Sequence, residues 1–410
     1  MTTLDLQPES RRRVGRDWRF PLLVFFIVGV ALFAVIEVSH EKMKQDSPTD
    51  GPNSHDYIGG WMQYDTGWYV GIAEDGYNQV QVDAFKAGQQ SAVAYFPGYP
   101  LTVRQVERAT DHDTVVAAEL TTILSGLALF VLFWLWCAPR MSSNARRTSL
   151  LLLALYPYAW FLYGSGYGDA LFIALTIGAF LLVERDRPLL AGLAGAAASA
   201  TRLIGVGTIL GLIALVIERR GALTRTPAAA RRWPWSGWHF DRSKLRRRDA
   251  GVLLSFAGIG SYCVFLSRIV GDPIAFNTVQ SAAGWNQGAG PKTWIKYEFF
   301  ALVVRGGLSY SSRLLLEALL CLVFLLAIPL VAKRIGGAYT VYCAVIIGIP
   351  LIGSSTMQGF GRYLLSAFPV FALGGMVLAD RARPRQVVLA SSGVLLFVLA
   401  SFFGRGFYLS

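Results

Sequence analysis

Five runs of apolar residues, at 20–38, 115–137, 251–270, 314–332 and 387–403, constrain this chain more than anything else in it. Each approaches the roughly 20 residues a helix needs to cross a hydrocarbon core. In that medium every backbone N–H and C=O must be satisfied within the protein, which a helix does segment by segment. The composition agrees, with 54% of the 410 residues hydrophobic and only 16% charged. The expectation is an all-α polytopic membrane protein forming one integral-membrane domain over 1–410. The first run is long and no small-residue cleavage site follows it, so it reads as a span and not a removable signal.

A net charge of +12 would suit a nucleic-acid binder in a soluble chain. Here Lys and Arg concentrate in short segments between apolar runs, the pattern of a cytoplasmic face, and no nucleic-acid partner is expected. Arg11, Arg12, Arg13, Arg16 and Arg19 place the tail 1–19 inside. The acidic segment 39–114 is then a long first external loop, and Arg140, Arg146 and Arg147 mark the next return. Runs 150–163 and 170–183 go out and back. The run 189–217 poses a conflict, because one helix there would put the loop 219–249, with ten Lys or Arg, outside. Two short segments turning near Thr201 and Arg202 resolve it, packed closely through Ala and Gly. Runs 251–270, 314–332, 339–352, 363–378 and 387–403 complete a count of about 11 spans, N-terminus inside and C-terminus outside.

On that topology the unusual polar residues gather outside. Asp65 lies in the first loop among aromatics, just before an amphipathic helical pattern suited to a membrane interface. Asp169 begins a span, Arg202 sits at the outer turn, Asp272 opens the loop 271–310, and Arg362 stands at another outer boundary. Each also has a purely structural reading. Asp65 and Asp169 can cap helices, Asp272-Pro273 can start a turn, and an arginine at a span end can snorkel to headgroups. An arginine among tightly packed small residues, however, usually has an anionic partner, and guanidinium suits phosphate. A carboxylate that accepts a proton, beside guanidiniums that hold a phosphate leaving group, suits group transfer from a lipid-linked phosphate donor. Tyr69, Tyr77, Gln280 and Trp285 join as candidate substrate contacts, the aromatics offering faces for sugar rings. His55 is a further candidate acid/base or acceptor contact. His40, His55 and His112 lack metal-ligand spacing, and Cys137, Cys263, Cys321 and Cys343 read as packing residues, so neither metal nor cofactor is expected.

These stretches resemble the PIG-V-like mannosyltransferases, related to the second mannosyltransferase of glycosylphosphatidylinositol assembly within the GT-C class of membrane glycosyltransferases. The resemblance rests on Tyr64-Asp65-Thr-Gly-Trp68-Tyr69 running to Ile72-Ala73-Glu-Asp-Gly76-Tyr77, and on Phe96-Pro97-Gly-Tyr99-Pro100. It continues with Tyr167-Gly-Asp169-Ala-Leu171-Phe172, Ala200-Thr201-Arg202, Gly271 to Phe276, and Arg362 to Pro369. It implies a GT-C-like fold, a polyprenyl-phosphate mannose donor, a lipid or glycolipid acceptor, and inverting transfer on the external face (periplasmic or the equivalent of the ER lumen). Asp65 maps to the expected catalytic base. Asp169 stands where the family pattern has Glu, and Tyr64 where it has Trp. The rival readings are a transporter or flippase of lipid-linked sugars, a GT-C-like protein using another polyprenyl-phosphate sugar, and a non-catalytic scaffold. The one-sided polar cluster speaks against alternating access.

Overall fold

The computed structural model of the chain describes residues 18–44, 59–225, 237–282, 285, 287 and 290–409. The tail 1–17 with Arg11, Arg12, Arg13 and Arg16, the residue His55, and Arg231 and Arg232 of the basic loop lie outside them.

All five long apolar runs are helices, at Arg19–Lys42, Thr114–Cys137, Arg247–Ile269 (its first turns 3-10), Tyr310–Arg334 and Ala382–Gly404. Local chemistry fixes their ends. Asp113 accepts a hydrogen bond from the Val116 N–H at 3.0 Å, capping the second, and His40 and Lys42 oppose the dipole at the end of the first. Among the described residues these five satisfy length and apolarity for a span, or six if the pair Phe360–Ser366 and Phe368–Leu378, bent by 79°, counts as one. Helix length therefore does not establish the count of eleven.

The remaining expected spans fall on shorter helices, Ser143–Ala154, Asp169–Glu184, Pro188–Ser199, Gly205–Arg220 and Gly337–Gly353. Ser143–Ala154, at 12 residues, rises only about 18 Å. Pro157 and the glycines at 164, 166 and 168 prevent its continuation, and the chain goes on as a buried 3-10 turn, Ala159–Leu162, and an irregular run to Gly168. Irregular backbone is tolerated at such depth where protein surrounds it.

The break expected near Thr201 and Arg202 is present, between Pro188–Ser199 and Gly205–Arg220. Its small residues admit close neighbours on two sides. A Cβ on Gly192 would lie 1.9 Å from the Gly251 carbonyl oxygen, and one on Gly195 would meet Ser255 at 2.7 Å and Leu212 at 2.9 Å. The tight packing thus joins the first segment to Arg247–Ser255 as well as to its own partner.

The segment 59–113 between the first two long helices folds onto them. Trp61, 1% exposed, stacks on Phe33 of the first helix with ring centroids 6.3 Å apart. Three helices follow, Thr66–Asp75, Gln79–Lys86 and Gly98–Thr110. The oily stripe of Thr66–Asp75 does not face a membrane interface. Tyr69, Ile72 and Ala73 are buried, with the Tyr69 ring edge-on to Tyr95, Tyr99 and Tyr167. Arg104 closes the arrangement by donating to the Ala73 carbonyl at 2.6 Å. A satellite core of Val93, Phe96, Tyr262, Leu266 and Phe276 joins this loop to the segment after 271. Three cysteines are buried, Cys263 is partly exposed, and all four are free thiols.

Candidate active site

Asp65 occupies the N-cap position of Thr66–Asp75, but its side chain makes no capping bond. Tyr64, one residue earlier, has φ 53°, a left-handed conformation a tyrosine rarely adopts, and its hydroxyl donates to the Gly406 carbonyl. The kink is held from the other side as well. The Asp65 N–H donates to the Tyr167 hydroxyl at 3.1 Å, which in turn donates to the Gln63 carbonyl at 3.2 Å. With its backbone so fixed, the Asp65 carboxylate accepts from Arg362 Nη1 at 3.0 Å and from the Tyr95 hydroxyl at 3.0 Å. The capping reading of Asp65 therefore fails, because both oxygens are engaged across the fold.

Asp169, in the first turn of Asp169–Glu184, is 1% exposed and pairs through Oδ1 with Arg202 Nη1. Its Oδ2 is buried without a hydrogen-bond partner, as is Nε of Arg362. The two ion pairs are neighbours. Tyr363 lies beneath both guanidiniums at 5.4 Å, and Arg362 also sits 4.8 Å over the Tyr167 ring. The buried Tyr69 phenol feels all four charges. Burial raises its proton affinity, and the fields of Arg202 and Arg362 act in the opposite sense. Four of the five polar residues assigned to one side thus meet in space, although they are scattered along the chain.

The motif residues also explain how the meeting is built. The Gly98 N–H donates to the Ala200 carbonyl at 2.7 Å, where a Cβ would come within 2.7 Å of that same oxygen. The Phe96–Pro100 stretch is thereby docked on the break that carries Arg202. Thr66 donates to the Ser165 carbonyl at 3.0 Å, tying the Asp65 helix to the run that leads into Asp169.

An aromatic wall borders Asp65. Trp68 stacks on Tyr95 at 5.6 Å, and Trp285 stands edge-on to both at 6.1 Å. Tyr95 is the member that composition did not single out. Its carbonyl accepts from Tyr77 at 2.6 Å and from Tyr262 at 3.0 Å, so Tyr77 serves by holding Tyr95 in place. Burial, and then the Asp65 charge, push the Tyr95 phenol well above its ordinary pKa, so it stays a donor to Asp65. Nothing in the plain sequence distinguished Tyr95 from the chain's other tyrosines.

Asp272 does not join. Its carboxylate accepts from the Ile274 N–H at 2.9 Å and the Thr278 hydroxyl at 2.6 Å, closing its own turn, so the structural reading prevails there. Gln280 likewise bonds locally, to the Phe276 carbonyl at 3.4 Å. His55 lies outside the described residues. Among those described, no three His, Cys, Asp or Glu side chains come together as a metal-holding group.

No family model matches the chain. It is similar to rat GPI alpha-1,6-mannosyltransferase 2, with 28% identity over 206 residues, covering 46% of this chain and 40% of that protein. The chain thus aligns with less than half the length of this curated relative, which comes from the group its motifs resemble. Solved structures similar to it include the Archaeoglobus fulgidus oligosaccharyltransferase complexed with zinc and sulfate (12% identity, TM-score 0.45, 92% of this chain and 53% of that one). The same enzyme tethered to an acceptor peptide gives 11% identity and a TM-score of 0.44, over 96% and 56% of the two chains.

Proposed function

We propose that the chain is an inverting membrane glycosyltransferase that moves a mannosyl residue from polyprenyl-phosphate mannose to a hydroxyl of a lipid or glycolipid acceptor on the external face. One observation carries the reading. Asp65 is aimed away from its helix and held by Tyr95 and Arg362, beside a second buried acid–guanidinium pair. The relative's activity and the motif order support the choice of sugar.

In the proposed reaction Asp65 takes the proton of the acceptor hydroxyl as its oxygen attacks the anomeric carbon. The bond from that carbon to the phosphate oxygen breaks, and polyprenyl phosphate leaves with the electron pair. The charge changes reinforce one another. Protonation neutralises Asp65 just as the phosphate gains negative charge, so Arg362 exchanges one anionic partner for another. An interaction that strengthens as charge develops lowers the barrier, whereas one equal in ground and transition states does not. The unpartnered Nε of Arg362 leaves a donor free for phosphate while Nη1 still holds Asp65. The Trp68, Tyr95 and Trp285 wall suits a sugar ring.

The test uses the purified full chain with polyprenyl-phosphate mannose and candidate lipid acceptors. Wild type is expected to release polyprenyl phosphate, whereas Asp65→Asn binds the donor without turning it over. Full activity in Asp65→Asn would sink the base assignment. A second reading makes Asp169 the base, favoured by its unpartnered Oδ2. It requires an active Asp65→Asn and an inactive Asp169→Asn.

A further inference from the structure

Glu317 lies within the apolar helix Leu308–Arg334 and is wholly buried, at 0% exposure. An ionisable side chain at such a place is costly, and its partners indicate what it is for. One oxygen accepts from the Tyr158 hydroxyl at 3.2 Å, and the other from the Phe360 N–H at 3.1 Å, which is shared with the Met357 carbonyl at 3.3 Å. Phe360 begins the short helix Phe360–Tyr363, two residues before Arg362. Arg313 stands four residues before Glu317 on the same helix, about one turn away.

The segment that Glu317 holds is strained. Met357 has φ 66° and Gly359 φ 82°, two left-handed residues within three positions, and for methionine that conformation is unfavourable. Gly361 is pressed against Tyr158 so closely that a Cβ there would lie 2.3 Å from the ring. Tyr158 and Glu317 thus grip the turn from two sides, one by contact and one through its N–H. Arg362 emerges from that turn to reach Asp65 at 3.0 Å. Neither Tyr158 nor Glu317 is bonded to Asp65 or Arg362.

We propose that Glu317 is a positioning residue for Arg362, its carboxylate fixing the Met357–Phe360 turn so that the guanidinium meets both Asp65 and a donor phosphate. The inference rests on the proposed glycosyl transfer for its kinetic consequence, but not for its structural one. Glu317→Met keeps a side chain of similar length and removes both acceptor oxygens, whereas the amide of Glu317→Gln could still bond both partners. Tyr158→Phe removes just one donor and is the milder variant should the first fail to fold.

Two measurements on the full chain in detergent decide the matter. In amide hydrogen exchange, Glu317→Met should speed exchange across 357–363 by up to about tenfold, the size expected for one lost hydrogen bond, with 114–137 and 382–404 unchanged. Tyr158→Phe should show a smaller change in the same segment. In kinetics with polyprenyl-phosphate mannose, Glu317→Met should lower kcat about tenfold and leave the acceptor KM alone. Added to Arg362→Ala it should cost less than about twofold further, since both act through one guanidinium. Unchanged exchange at 357–363 overturns the positioning role whatever the kinetics show. A full multiplicative loss on top of Arg362→Ala also overturns it, as a merely structural role would give that result. If wild type neither binds nor turns over the donor, the glycosyl-transfer reading fails, and the exchange result still decides the role of Glu317.

Discussion

Removing Arg202 separates what the second ion pair does for the fold from what it does for the reaction. Asp169 is 1% exposed and Arg202 10%, so Arg202→Ala leaves a carboxylate charged, buried and without its cation. Breaking a buried pair in this way costs about 3–5 kcal/mol. The lost contact with the Tyr363 ring at 5.4 Å adds about 0.5–1 kcal/mol. The double variant Asp169→Asn with Arg202→Gln removes both charges, keeps hydrogen-bonding groups at both positions, and is expected to recover most of that loss. Its stability should fall within about 1 kcal/mol of wild type, because neutral hydrogen-bonding partners replace a buried pair at little net cost. Denaturant unfolding in detergent reads the first quantity, and binding of polyprenyl phosphate reads the second. The single variant should be strongly destabilised, while the double variant should be stable and bind polyprenyl phosphate at least tenfold more weakly, a difference of about 1.4 kcal/mol. A single variant as stable as wild type would refute the burial argument. A double variant with full phosphate affinity and transfer activity would refute the role of Arg202 in holding the leaving group.

Tyr95→Phe deletes the hydroxyl that donates to Asp65 at 3.0 Å and preserves the ring that Trp68 and Trp285 pack against. Losing a hydrogen bond to a charged group, together with the orientation it gives, is expected to lower kcat about tenfold with little change in donor KM, read by initial-rate kinetics. On the basic side, Asp186 accepts from Arg220 at 2.6 Å and also pairs with Arg248 and Arg246, which holds its carboxyl below the ordinary range. Because the folded value is the lower one, this anchoring is present above the ordinary aspartate pKa and disappears as pH falls through the lowered value. Limited proteolysis of the 219–249 loop should therefore accelerate only in strong acid in wild type. In Asp186→Asn it should already be faster at neutral pH.

The long helices were legible because an uninterrupted apolar run has one stable form in a membrane. Even the break at Thr201 and Arg202 could be inferred, since the ten basic residues of the following loop are costly on the wrong side. The fate of the Thr66–Asp75 stripe was not legible. Periodicity reports that Tyr69 and Ala73 share a face with apolar neighbours, not whether lipid or Tyr95, Tyr99 and Tyr167 will cover it. Asp272 shows the same limit from the other side. Its one-sided placement suited a site residue, yet two local donors, Ile274 N–H and the Thr278 hydroxyl, satisfy it within six positions of its own chain.

The shortness of several expected spans and the clustering of the four charged residues have a common cause. Asp65 follows a left-handed Tyr64, and Asp169 follows a glycine-punctuated run in which Gly166 has φ 63°. Arg202 lies in the gap between Ser199 and Gly205, and Arg362 follows left-handed Met357 and Gly359. Each charged residue sits at a helix interruption, and these interruptions are what leave several helices too short to cross a membrane alone. An unbroken helix already pairs its backbone groups internally and carries its side chains outward around one axis. A break turns chain direction within a few residues and opens N–H groups to side-chain acceptors, as the Phe360 N–H reaches the Glu317 carboxylate and the Asp65 N–H the Tyr167 hydroxyl. Four such breaks, packed together, bring two carboxylates and two guanidiniums into one largely buried group of two ion pairs. Apolar periodicity reads those breaks as defects in a span, whereas the charges beside them mark where distant parts of the chain are joined.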